Sequence, residues 1–399
     1  LLDRYIGSTL RKFGITTNWS ISGNLETSVV STTQKLKDAI EDNPIFAVFG
    51  NVYVRYRNAD ALENIIFTLE SCNKIKTGNI KGGAAINDTA FAAVEGKYGK
   101  IKAGYTNSGG DEFSINYSKA LTGFAGADNN FGFSTYYAQT SGCAIATGFE
   151  RDDNKALKIA YISPVLAGWS FGVSYSPNSR DAHLFKEDKN KTPKDIAPEQ
   201  NFADDTAYSR HNISGGIAYE YGAPDAFNLK IAVAGWYGQG KSDIAEVHNV
   251  KGYNVGAVLG YQSYKLALGF TDNGKSLLGK KIVDENHYDG YRPGADCGKL
   301  YNAAIAYIGE KWEVALGYFH ATRKFSDNEK TRTRITTASV QYNCNDVISV
   351  YFEWDNLNTK TCDRAMKTES LAEEGILGSS KVFGNNHANM WIGGLKMRI

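Results

Sequence analysis

Charged residues fall into two sets that could act on one another across water. The stretch 108–153 holds Asp111, Glu112, Asp128, Glu150, Asp152 and Asp153, with Lys119 and Arg151 as its cations. A second set, Arg55, Arg57, Lys74, Lys102 and Arg334, lies in segments that alternate polar and apolar residues. An acidic loop facing a cationic wall creates a transverse field, which orders water and sorts solutes by charge and polarity. This is the chemistry of permeation, not of bond making. Lys100, Lys396 and Arg398 fit simple solvation of the same surface. Arg55 and Arg57 are the better wall charges.

Other chemistry finds little support. The six histidines (His183, His211, His248, His287, His320, His387) lie mostly in predicted loops or at strand ends, with no GxSxG or metal motif beside them. A nucleophile needs a base within reach, so an enzyme is not expected. Five cysteines without a CxxC or Cys/His cluster argue against zinc. Cys297 and Cys362 fall in predicted loops on one side, which permits a disulfide without establishing its geometry. The formal charge is +1, from 44 basic and 43 acidic residues. That balance leaves no cation excess for nucleic acid.

The elements that must position these charges have a period of two. The last stretch sets Trp391, Gly393, Leu395 and Met397 on one face, and Met390, Ile392, Gly394, Lys396 and Arg398 on the other. A strand at the end of a chain still needs partners for its backbone groups on both edges. The pattern recurs in sixteen predicted strands: 17–30, 46–57, 63–76, 88–96, 99–107, 154–163, 168–177, 207–221, 226–238, 249–262, 264–273, 297–309, 311–323, 331–343, 346–357 and 385–398. Residues 1–16 read as a leader or short helix, with Leu2, Ile6, Leu10 and Phe13 at helical spacing. The uncharged runs 129–149 and 159–179 are too polar and Pro-interrupted for membrane helices.

Connections alternate short and long, which places all long loops on one side of a sheet of hairpins. Aromatics sit near predicted strand ends: Trp19, Tyr105, Tyr161, Tyr175, Tyr237, Tyr261, Trp312, Trp354 and Trp391. Such rings form girdles at membrane interfaces. A sheet can span hydrocarbon only if it closes. The expectation is an all-β fold: a 16-stranded antiparallel transmembrane β-barrel over 17–399, with long loops on one side and short turns on the other. A barrel of about 16 strands is too wide for side chains to fill and encloses water. The polar faces would line that lumen. The loop 108–153, with Phe124, Phe131 and Phe133, is expected to fold inward and narrow it.

Four stretches carry a family likeness: NWSISGNLETSVV at 18–30, VYVRYRNADALENIIFTLES at 52–71, FAAVEGKYGKIKAGY at 91–105 and YISPVLAGWSFGVSYSP at 161–177. With the terminal strand, they resemble a Gram-negative general diffusion porin of the alphaproteobacterial, Rhodobacter-type branch. The resemblance implies a homotrimer in the outer membrane, bordered by lipid and lipopolysaccharide. It implies passive diffusion of small hydrophilic solutes, with no cofactor for that passage. It also allows calcium between acidic loops, here at Asp111, Glu112 and Asp128. The chain departs from the family in ending at Ile399 rather than Phe or Trp, in residues 1–16 and in its cysteines.

The same pattern is open to two other functions. One is a substrate-specific channel for sugars or anions, using Tyr53 and Trp236 as inward aromatics. The other is an adhesive barrel with a sealed lumen, acting through the charged loops 178–206 and 358–384.

Overall fold

The computed structural model describes residues 19–34, 44–62, 65–78, 85–121, 156–179, 208–223, 226–241, 246–276, 278, 280, 294–324, 327, 330–360 and 385–398. Its strands are β1 (Trp19–Gln34), β2 (Ile45–Leu62), β3 (Ile65–Gly78), β4 (Ala85–Gly96), β5 (Gly99–Tyr105), β6 (Leu157–Ile162), β7 (Trp169–Asn178) and β8 (Tyr208–Gly222). They continue with β9 (Phe227–Lys241), β10 (Val250–Tyr261), β11 (Tyr264–Asp272), β12 (Lys299–Ile308), β13 (Trp312–Lys324), β14 (Lys330–Asn343), β15 (Ile348–Lys360) and β16 (Asn386–Arg398). Each pairs antiparallel with its sequence neighbours, and β16 pairs with β1, where Leu395 lies opposite Thr27. The sheet is therefore a closed barrel with no free edge.

Closure fixes two faces, because side chains alternate along every strand. On β7, Trp169, Phe171, Val173 and Tyr175 point outward and are 51%, 46%, 46% and 39% exposed. Ser170, Gly172, Ser174 and Ser176 between them are buried on the inside. Pairing carries this parity around the barrel: Phe171 lies opposite Ile217, Ile217 opposite Val233 and Val233 opposite Val255. An outer surface so rich in exposed aliphatic side chains would be an aggregation hazard in water, whereas hydrocarbon solvates it. No helix among the described residues is long and apolar enough to cross a membrane. The aromatics expected at strand ends fall on the outward parity where their side chains are described, as at Trp391 opposite Trp354.

Three expectations need correction. Several strands run further at their loop ends: β1 reaches Gln34 rather than residue 30, and β15 reaches Lys360 rather than 357. Ser31, Thr32, Thr33 and Gln34 are polar on both faces, so periodicity could not register a strand that projects beyond the apolar band. Arg334 does not face the lumen. It is exposed on β14 and shares the outward parity of Ala338 and Val340, which oppose Leu316 and Val314. The inward residues there are Thr333, Ile335 and Thr337, all buried. Nor is the inner wall uniformly polar. Val30, Leu300, Phe319, Ile335, Leu357, Met390 and Ile392 form a buried apolar cluster on the inward parity.

Removing β16 would leave β1 and β15 with unpaired edges in hydrocarbon. A chain ending at residue 384 is expected to lose the compact, heat-modifiable band seen for folded barrels on unheated gels. Retention of that band would contradict the account of closure.

Candidate constriction site

After Tyr105 the chain turns into the barrel. Ser108 N-caps a short helix, α1 (Gly109–Phe113), its Oγ accepting from the Asp111 N–H at 3.0 Å. Five residues are too few for a helix to stand alone, so the wall must hold it. The Gly109 N–H donates to Ser174 Oγ on β7 at 2.8 Å, and the Gly110 N–H donates to Ser214 Oγ on β8 at 2.9 Å. Two N-terminal donors with no intrahelical acceptor are thereby satisfied. Phe113 then lies over Gly172 and Gly216, where an added Cβ would meet its ring atoms at 2.6 Å and its Cβ at 2.5 Å.

The segment continues around the wall by the same device. Asn254 on β10 accepts from the Ile115 N–H at 2.9 Å and donates to the Ile115 carbonyl at 3.2 Å. Gly256 leaves the space that Ile115 fills. Asn302 on β12 accepts from the Tyr117 N–H at 2.8 Å. Asn116 caps a 3-10 turn, Tyr117–Lys119. The Tyr117 ring sits above Gly317, 6.0 Å from the ring of Phe319 on β13. Tyr117, Ala120 and Leu121 join the apolar cluster of the inner wall. Inward Ser and Asn side chains receive the backbone, and inward glycines receive the large side chains. Residues 108–121 thus follow a track across β7, β8, β10, β12 and β13.

Charges sit close to this track. Register places Arg55, Arg57, Lys100, Lys102 and Lys158 on the inward parity of β2, β5 and β6. The Arg55 Nε donates to Glu70 on β3 at 2.7 Å. The Lys102 ammonium, nearly buried, donates to the Glu112 carboxylate and lies 5.7 Å from the centre of the Phe91 ring. Lys100 is 3.6 Å from Glu95. The expected arrangement, an acidic loop facing a cationic wall across open water, is therefore altered at Glu112. This acid docks on Lys102, so that pair cancels locally instead of spanning the lumen. Arg57 has no ion-pair partner among the described residues. Lys74 lies opposite Asn51 in the register.

Asp128, Glu150, Asp152 and Asp153 lie outside the described residues. The expected calcium set loses Glu112 to Lys102. Among the described residues no three acidic, His or Cys side chains converge. Cys297 donates from its thiol to the Ser276 carbonyl at 2.8 Å, and Cys362 lies outside the described residues. Trp236 does face inward but is buried with Val247 and Val250, not presented to solutes.

Sequence reasoning missed Glu26, Glu353 and Asp355. They are inward acids on β1 and β15, close in the sheet to the cationic strands through β16. Glu353 and Asp355 are fully buried, and Asp355 accepts from Thr337 at 2.5 Å. Their parity with Tyr351 and Leu357, opposite to Phe352 and Trp354, was the available signal.

Residues 17–361 match the family of Gram-negative porins. The chain belongs to that family. A relative in Rickettsia bellii, an uncharacterized protein, is 23% identical over 317 residues, covering 66% of this porin and 68% of the relative. Among solved structures, the anion-selective porin from Comamonas acidovorans superposes with a TM-score of 0.56 at 15% identity, covering 96% of this porin and all of that one. A mutant of the Rh. blastica porin superposes at 0.51 with 9% identity, 96% and 100% covered. The structural likenesses show the barrel fold, and the Rickettsia relative supports the alphaproteobacterial resemblance. The porin lies in the outer membrane.

Replacing Asn254 and Asn302 together by Ala removes the acceptors for Ile115 and Tyr117. Each orphaned buried group costs about 1–3 kcal/mol. Amide exchange at Ile115 and Tyr117 in the folded porin is expected to speed at least about tenfold, by the free energy lost. Unchanged exchange would show that the segment is held by something else.

Proposed function

We propose that this porin is a water-filled diffusion channel for ions and small hydrophilic solutes, narrowed by the segment that begins at Ser108. The observation carrying the proposal is that segment's seat on the inner wall, received by inward Ser174, Ser214, Asn254 and Asn302. A barrel of this strand number leaves an aqueous lumen. A chain segment lying against the inner wall narrows such a lumen without closing it. Arg57, exposed on the inward parity of β2, then supplies charge that solutes meet. Passage by diffusion needs no cofactor and no catalytic group.

The outer faces of β16, β1 and β2 support a homotrimer. There Thr27, Val29, Phe46, Val48, Gly393 and Leu395 line a shallow depression, and an added Cβ at Gly393 would meet nothing. Around β7 to β13 the outer face carries large aromatics such as Trp169, Tyr264 and Trp312, 51%, 55% and 54% exposed, and on β16 it does so at Trp391. Small residues suit a close-packed protein neighbour, and aromatic rings suit a lipid interface. Lipid and lipopolysaccharide would then border the remaining wall.

Single-channel recording in a planar bilayer under a salt gradient tests this. Nearly ohmic steps in groups of three are expected, and Arg57→Glu should shift the reversal potential toward cation preference. Folded, inserted protein that passes no current would refute the open channel. Small steps blocked by one sugar or anion class would favour a substrate-specific channel instead.

A further inference from the structure

Arg334 belongs to a group of outward cations at the loop ends of β13 to β15. Lys324, Lys330, Arg332, Arg334 and Lys360 all fall on the parity that carries Leu316 and Val340 outward. Four of the five are exposed and Arg332 is partly so. The pairing sets like charges directly opposite one another: Lys324 faces Lys330, and Arg332 faces Lys360. Such pairs are destabilising by themselves. Among the described residues, none of the five has an ion-pair partner. The nearby outward acid, Asp272, is taken by Lys299 at 2.7 Å. Below the cations lie aromatic rings, with Tyr301 and Tyr318 at 6.3 Å and 6.4 Å from the imidazole of His320.

Height along the barrel places this patch. From Trp312 at the turn end to Thr322, which faces Arg332, β13 advances ten residues. At about 3.3 Å per residue and a tilt of about 40°, that is about 25 Å, the height of the apolar band of such barrels. The cations therefore stand at the upper edge of the band, level with headgroups of the leaflet on the long-loop side. Long loops face the cell exterior in these barrels.

We propose that this patch binds the phosphate groups of the phosphorylated glycolipid of the outer leaflet. The guanidinium groups of Arg332 and Arg334 match phosphate geometry in pairs, and the lysines add point charges. Bound phosphate relieves the cross-strand repulsion, and the rings beneath meet the acyl boundary. The proposal names the site of a lipid partner and rests on the porin lying in the outer membrane with its long loops outward.

Full-length porin, folded in detergent, is titrated with bis-phosphorylated lipid A, with the same lipid dephosphorylated, and with phosphatidylglycerol. Binding is read by native mass spectrometry. Wild type is expected to retain bis-phosphorylated lipid A in preference to the other two. Lys330→Gln/Arg332→Gln/Arg334→Gln should weaken it at least about tenfold, as three of the five surface cations that attract the anionic lipid are lost. Lys97→Gln, at a short turn on the other side, should not. If the triple variant does not fold, Arg334→Gln and Lys360→Gln alone should each weaken retention severalfold. Conductance of the same preparations separates loss of the patch from loss of the channel. Wild-type retention by the folded variants would overturn the proposal. So would equal retention of the dephosphorylated lipid or of phosphatidylglycerol by wild type.

Discussion

Hydrocarbon offers no partner to a peptide group, and that constraint governs the rest of the molecule. Every N–H and C=O of a spanning strand must be met by another strand, so the sheet has to close on itself. Pairing of Thr27 with Leu395 and of Val29 with Gly393 achieves this. Once closure is required, alternation follows. One parity must suit lipid, as at Phe171, Val233 and Leu316, and the other is left to water and to whatever the lumen contains.

The inner parity is then free to encode a second structure. Its Ser174, Ser214, Asn254 and Asn302 are not merely wet. They are acceptors placed where the backbone of residues 109–117 arrives. Gly172, Gly216 and Gly256 leave sockets for Phe113 and Ile115. The wall thus acts as a template on which an otherwise unstable five-residue helix becomes ordered. Docking also decides the electrostatics, because it brings Glu112 onto Lys102 and removes both from the field that a solute would feel. The lumen charge that counts is the part left unmatched, not the sum over the chain.

Fold was legible because period-two alternation and alternating loop length are consequences of closure that local sequence must obey. Sixteen strands could be placed, and Arg55 and Arg57 assigned to the inner parity, from β2 alone. Arg334 was misassigned because the loop end of β14 leaves the apolar band. In Lys330–Thr337 the single apolar side chain, Ile335, lies on the inner face and the charges on the outer, so polarity points parity the wrong way. The docking of Glu112 was invisible for a different reason: it depends on a contact between α1 and β5 that no spacing rule expresses.

Central to the account is an aqueous lumen narrowed from within by the segment after β5. Swelling of proteoliposomes in sugars of increasing size tests it most directly. The account predicts rapid swelling in pentoses and hexoses, falling steeply for disaccharides and larger sugars. Swelling independent of solute size would mean that the segment does not constrict the barrel, and no swelling with any sugar would mean that the lumen is sealed.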